Sequence, residues 1–204
     1  MPDKIIFIRH AESVNNELNS NQYTIISGQD DCELSAYGLQ KLKQLKLPNI
    51  AGFDIYSSPA KRCLVTCNKL FPQKKAEISE LLMERSLGIW EGRTLTEIEK
   101  DAKVSEKLKK QLKSRIYRHS FSFRFPTAEN YTDVENRCLR FLQGLSANTN
   151  VIIASHMTTI RCFLKILLNL SKQQSLNLRI SNIEPIYINK IGSVYKPENP
   201  LSFF

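Results

Sequence analysis

The sequence predicts an α/β protein: a three-layer sandwich with a mostly parallel central sheet flanked by helices, plus a helical lid insertion. Three observations lead there. Strand and helix signals alternate along most of the 204 residues, the order that builds parallel sheets through helical crossovers. The strand candidates are short, continuous apolar runs, as expected of strands covered on both faces. No repeat, low-complexity tract or linker breaks the pattern, so 1–204 reads as a single domain of ordinary size.

Each element has a local reason. Residues 4–9 (KIIFIR) form an isoleucine-rich strand bounded by polar residues. Residues 35–47 (SAYGLQKLKQLKL) suit a helix that Ser35 caps, with Leu39, Leu42 and Leu45 as its apolar stripe. FDIYSS at 53–58 is a second strand. SPAKRCLVTCNKLF then opens a helix with Ser58 at the N-cap and Pro59 in the first helical position. Residues 76–83 give a third, weaker strand. A long polar helix is expected from Thr94 to about Arg118. From Thr132 to Leu145 a helix follows, with Thr132 and Glu135 as a capping box ahead of Val134, Cys138, Phe141 and Leu142. NVIIASH at 150–156 is another buried strand, followed by a helix carrying Ile160, Phe163, Leu164 and Leu167. EPIYINKIGSVYKP supplies two closing strands with Gly192 in the turn.

Composition narrows the function classes. Hydrophobic residues make up 42% of the chain, enough for a core. No apolar run approaches the ~20 residues of a membrane helix, and the N-terminal stretch ends in Arg-His without a small-residue cleavage site. A cytoplasmic protein without membrane contact is expected. The five cysteines, Cys32, Cys63, Cys67, Cys138 and Cys162, are scattered and odd in number, so they indicate neither a disulfide framework nor a zinc site. Cys63 and Cys67 read as small buried thiols on one helix face. The net charge of +9 favours anionic partners without choosing among them.

The chemistry gathers at strand ends, where open α/β sheets bind ligands. The first strand delivers Arg9-His10, the second leads into Ser57-Ser58-Pro59 and Arg62, and the strand at 150 delivers Ser155-His156. Each is followed by a segment able to start a helix, whose free N–H groups attract anions. Two arginine forks and two histidines fit a phosphoryl group. A histidine kept neutral by nearby guanidinium groups can attack phosphorus and form a covalent intermediate. The departing alkoxide then needs a carboxylic acid nearby. Either histidine alone would more simply be structural. Arg62 in a helix's first turn runs against the dipole preference, which favours a binding role. His119 sits in a basic stretch and is expected to be exposed.

FIRHAESVNN, DCELSAYGLQ, SSPAKRC, LLMERSLGIWEG and ASHMTTIR occur in the order found in the histidine phosphatase superfamily. The chain resembles the branch that contains the cofactor-dependent phosphoglycerate mutases, over roughly residues 4–165. The resemblance implies that His10 is the phosphorylated nucleophile. It implies that Arg9, Arg62, His156 and Asn16 hold the phosphoryl group, and that Glu84 is the proton donor, later a base for water. Only the family match picks Glu84 over Glu12, Glu80 and Glu91; Glu12 and Ser13 read as groups that steady the turn. A backbone carbonyl is expected on the His10 ring nitrogen that does not attack. The resemblance implies no metal ion, and no cofactor is expected.

Mutases of this family carry a Tyr-Gly after the acid and a paired-arginine stretch further on. Here RSLGIWEG follows Glu84, as in the family's phosphatases. Hydrolysis of small phosphorylated metabolites is therefore the expected activity. Mutase-type phosphoryl transfer and a non-enzymatic phosphate-ligand binding protein are the alternatives. The basic insertion at about 93–126 would cap the pocket and grip further negative charge, or else present a solvated helix face. In the first case, removing charge at Lys109 or Lys113 raises KM more for bisphosphorylated than for monophosphorylated substrates. Two departures from the family stand out: Met157-Thr158-Thr159 replaces the usual glycines, so that Met157 enters the phosphate pocket, and Ala128-Glu129-Asn130 replaces Gly-Glu-Ser. A small phosphorylated substrate is the expected partner and nucleic acid is not, because aromatic residues do not interleave with the basic run; oligomeric state is left open.

Overall fold

The computed structural model describes residues 1–20 and 24–204. The chain runs β1 (Lys4–Arg9), α1 (Val14–Ser20), α2 (Ala36–Leu42), β2 (Phe53–Ser57), α3 (Lys61–Leu70) and β3 (Glu77–Ile78). Two single 3₁₀ turns, Glu80–Leu82 and Gly88–Trp90, lead to α4 (Leu95–Lys100), α5 (Glu106–Lys113), α6 (Ile116–His119) and α7 (Tyr131–Gly144). Then come β4 (Asn150–Ser155), α8 (Met157–Leu168), α9 (Lys172–Asn177), β5 (Ile186–Ile191) and β6 (Val194–Pro197).

The six strands form one sheet in the order β3-β2-β4-β1-β5-β6. The first four are mutually parallel; β5 pairs antiparallel with β1, and β6 antiparallel with β5. In β1 the two-residue period of a strand divides the side chains between two cores. Ile5 and Phe7 pack with α7 and α8 on one face; Ile6 and Ile8 pack on the other with Cys67 and Phe71 of the α3 side. That is the three-layer sandwich expected from the apolar runs. Among the described residues, no helix is long and apolar enough to cross a membrane.

Register positions the chemistry. β1 and β4 pair from Lys4↔Asn150 to Arg9↔Ser155, so both end at the same level. The ladder continues one step through His10 N–H donating to Ser155 O at 3.0 Å. His10 and His156 are therefore placed side by side by the sheet itself. β2 ends beside them, with Ser58 N–H donating to Ala154 O at 3.0 Å.

Several local expectations need correction. α2 stops at Leu42, and of its expected stripe only Leu42 is buried; Leu39 is exposed and Leu45 half-buried. Its Gly38 lies against the Glu12 backbone, where an added Cβ would come within 2.3 Å of the carbonyl oxygen. α3 begins after Ala60, not at Pro59, and Ser58 is not its cap. β3 is two residues long because the chain turns into a 3₁₀ turn at Glu80. The capping box of α7 is Asn130 with Asp133, two residues ahead of the expected pair, although Val134, Cys138, Phe141 and Leu142 are all buried as expected.

The long helix expected over 94–118 is three short ones. A Thr94–Glu97 capping box starts α4, Ser105 caps α5, and Arg115 in the left-handed region (φ 52°) separates α5 from α6. Breaking the helix lets Ile98, Val104, Leu112 and Tyr117 converge with Trp90 and Phe125 on a small core of their own. One straight amphipathic helix presents a single stripe and could not close that cluster. Of the apolar residues in α5 and α6, Leu112 is buried, Leu108 half-buried and Ile116 exposed.

Candidate active site

Arg9, His10, Asn16, Arg62, Glu84, His156 and Met157 all line one cavity of about 570 Å³ at the carboxyl ends of the parallel strands. The two imidazole rings are 5.1 Å apart and inclined at 61°. His10 donates from Nδ1 to Ala11 O at 2.7 Å, the carbonyl partner expected from sequence. Its proton thus sits on Nδ1, and Nε2 presents a lone pair. Burial, then the charges of Arg9 and Arg62, hold the imidazolium well below its usual range, so His10 is neutral.

Arg62 is 3% exposed and fixed from three sides. Nη1 donates to Asp30 O (2.6 Å), Nη2 to Gly28 O (3.0 Å) and Nε to His156 Nδ1 (3.3 Å). A guanidinium has five N–H donors, so one remains on each terminal nitrogen. Arg9 donates from Nη1 to Ile180 O at 2.8 Å, while its Nε is buried without a partner among the described residues. Burial, opposed by Glu84 and reinforced by Arg161 and Arg62, lowers the Arg9 guanidinium to about 10. The His156 ring is fully buried and also held neutral, by desolvation first and Arg62 second.

The Glu84 carboxylate is held by backbone. Oε1 accepts from Arg85 N at 2.8 Å and Oε2 from Thr158 N, in the first turn of α8, at 3.1 Å. Its segment is braced by Glu129, which accepts from Ser86 N (2.8 Å) and pairs with Arg137 at 3.0 Å; Arg137 in turn donates to Leu81 O (2.8 Å). Glu129 is thus the member of the altered Ala128-Glu129-Asn130 stretch that steadies the acid's loop. Glu12 accepts from Ser35 Oγ (2.8 Å), and Ser13 exchanges bonds with Asn16, so both steady turns as expected. Cys63 and Cys67 are buried, and the His119 side chain lies outside the described residues.

Other groups emerge only in three dimensions. Asn182 donates to His10 O (2.8 Å) and to Asn16 Oδ1 (3.3 Å), tying two site residues together from a loop with no motif. Thr66 accepts from Ala11 N (3.0 Å) and donates to Arg62 O (2.6 Å), joining the end of β1 to α3. Arg85, Arg118 and Arg161 also line the cavity. Arg85 and Arg161 are each 5% exposed, and no ion pair among the described residues includes Arg9, Arg62, Arg85 or Arg161. Adjacency to Glu84 and the last position of ASHMTTIR were the signals available for Arg85 and Arg161.

The insertion's lysines turn elsewhere. Lys109 pairs with Glu106 at 2.9 Å and Lys113 with Glu99 at 3.4 Å, and neither lines the cavity. Arg118, also in the insertion, does line it. Among the described residues no cluster of His, Cys, Asp or Glu is arranged to hold a metal ion. Chemically, the cavity offers a neutral nucleophilic nitrogen, fixed guanidinium donors around it and one carboxyl group.

The family model described as "Histidine phosphatase superfamily (branch 1)" matches residues 5–190. A 2,3-bisphosphoglycerate-dependent phosphoglycerate mutase from Buchnera aphidicola subsp. Baizongia pistaciae is 29% identical over 229 residues, covering 95% of each chain. A 6-phosphofructo-2-kinase/fructose-2,6-bisphosphatase from Caenorhabditis elegans is 29% identical over 115 residues, 56% of this chain; that match spans only 24% of the relative's length. Among solved structures, a phosphoserine phosphatase from Entamoeba histolytica in complex with 3-phosphoglyceric acid superposes with a TM-score of 0.72. It is 25% identical, with 99% of this chain and 98% of the other covered.

Proposed function

Because the chain belongs to the histidine phosphatase superfamily, branch 1, we propose that it is a metal-independent phosphomonoesterase acting on small phosphorylated metabolites through a phosphohistidine on His10. The observation that carries this reading is the His10 ring: neutral, its Nδ1–H donated to Ala11 O, its Nε2 left with a lone pair under the influence of Arg9 and Arg62. Nε2 attacks phosphorus in line as the bond to the alcohol oxygen breaks. Glu84 gives that oxygen a proton. Water then attacks the phosphohistidine, Glu84 takes the water's proton, and the N–P bond breaks to release inorganic phosphate. Arg9, Arg62 and Asn16 hold the equatorial oxygens, whose charge their donors offset, and His156 holds Arg62 in place beside them. Rigid attachment to a buried strand end holds the nucleophile in its attacking geometry.

The test is phosphate release from p-nitrophenyl phosphate with a chelator present, comparing wild type with His10→Ala. Activity in the wild type and its loss in the variant is the expected result. Activity that survives the substitution removes His10 as nucleophile. A second reading, phosphoryl transfer of the mutase kind, is favoured by the full-length similarity to the Buchnera enzyme. It predicts isomerisation of phosphoglycerate without phosphate release.

A further inference from the structure

Ser58 was expected to cap α3, but it bonds into the site instead. Its Oγ lies 2.9 Å from His156 Nε2 and 3.3 Å from Met83 Sδ, and accepts from Ala60 N at 3.3 Å. All of these partners meet behind the phosphate pocket, where Ser58 and His156 are fully buried. On the other side of the ring, Arg62 Nε–H donates to Nδ1. An arginine has no acceptor atom, so that bond requires a lone pair on Nδ1. A neutral imidazole then carries its proton on Nε2, which needs an acceptor. Ser58 Oγ at 2.9 Å supplies it, and its own hydroxyl hydrogen then has Met83 Sδ as an acceptor. The second neighbour, Cys63 Sγ at 3.5 Å from Nε2, is a weak acceptor, and burial pushes its thiol far up, keeping it protonated.

We infer that Ser58 is a positioning residue that selects the tautomer of His156, and through it the orientation of Arg62. With the proton on Nε2, the ring acts in the free protein as an acceptor that fixes Arg62, completing the set begun by Asp30 O and Gly28 O. With the proton on Nδ1, Nδ1–H would face Arg62 Nε–H, two donors in opposition, and the guanidinium would turn away. His10 shows the opposite choice, Nδ1–H toward Ala11 O. Two neighbouring histidines are thus locked in opposite tautomers by different acceptors. The geometry of the claim stands on its own; its catalytic consequence rests on the phosphatase reading.

The test is NMR of the imidazole nitrogens in isotope-labelled protein, which carries three histidines. In the wild type, His156 should show a protonated Nε2 and an unprotonated Nδ1. Finding its proton on Nδ1 overturns the inference without any variant. In Ser58→Ala, His156 should become a mixture of tautomers. On p-nitrophenyl phosphate kcat should fall roughly 10- to 100-fold, the rate equivalent of stranding one buried donor. Cys63→Ala should leave the tautomer as it is. Ser58→Ala with the wild-type tautomer retained, or a tautomer that responds to Cys63→Ala alone, refutes the assignment to Ser58. A wild type without phosphatase activity would remove the proposed function and still leave the spectra to decide this point.

Discussion

Acidification should destabilise the protein before its carboxylates protonate, and the two buried histidines set the size of the effect. His10 and His156 are 4% and 0% exposed, and burial with neighbouring arginines holds both well below the ordinary 6.5. In the unfolded chain both titrate near 6.5. As the pH drops below that value the unfolded state takes up protons that the folded state refuses, so stability falls. The contribution is fully present above 6.5 and declines toward the much lower folded values. Each pH unit below 6.5 is worth about 1.4 kcal/mol per histidine, and the unit above it very little. Two histidines between pH ~7.5 and ~5.5 therefore cost about 2.7 kcal/mol. For a chain of this size ~1 kcal/mol moves Tm by about 2–4 °C, so Tm should fall by about 5–11 °C over that window. Glu97, Asp101, Glu106 and Glu198, whose folded values are lowered, start from ordinary values of 4.5, 3.8, 4.5 and 4.5 and contribute only at lower pH. Thermal unfolding by circular dichroism in phosphate-free buffer measures the loss, and His10→Gln should halve it. A Tm constant within about 2 °C across the window, or an undiminished slope in the variant, refutes the reasoning.

Two further outcomes follow from the cavity. Glu84→Gln should lower kcat by about 10²- to 10⁴-fold for alkyl phosphates, which need a protonated leaving group. The loss should be much smaller for p-nitrophenyl phosphate, whose phenolate departs unaided; equal losses on both would remove Glu84 as the acid. Arg118→Ala should raise KM more for bisphosphorylated than for monophosphorylated substrates. The same change at Lys109 or Lys113 should leave both KM values alone, because those lysines pair with Glu106 and Glu99 outside the cavity. Steady-state kinetics on matched substrates separates the two sets, and an effect confined to the lysines would restore the sequence-based expectation.

What the sequence made legible depends on the range of the constraint. Arg9, His10 and His156 could be located because KIIFIR and NVIIAS must be buried, and a buried parallel strand fixes where its last residues emerge. The in-register pairing Arg9↔Ser155 then turns two separate strand ends into one site. Residues whose role depends on a distant loop left no such trace. Asn182 is separated from His10 by 172 positions, and its stretch carries neither periodicity nor motif. The lid lysines failed for a related reason: charge counts say how many cations a segment carries, but a nearby carboxylate decides which way each one turns.

Ser58 shows how two local rules can conflict. By sequence it is a good N-cap ahead of Pro59, and capping would satisfy helix N–H groups worth ~1 kcal/mol. In the fold it still accepts from Ala60 N, so part of the capping role survives. Its remaining lone pair turns to His156, a donor that would otherwise be buried unpaired at a cost of about 1–3 kcal/mol. The larger penalty decides the geometry. α3 consequently starts two residues late, after Ala60 and without a side-chain cap. Arg62 stays in the first turn, against the helix dipole and within reach of Gly28 O, Asp30 O and His156. Local helix stability is thus given up where the buried imidazole requires an acceptor and its arginine neighbour a fixed position.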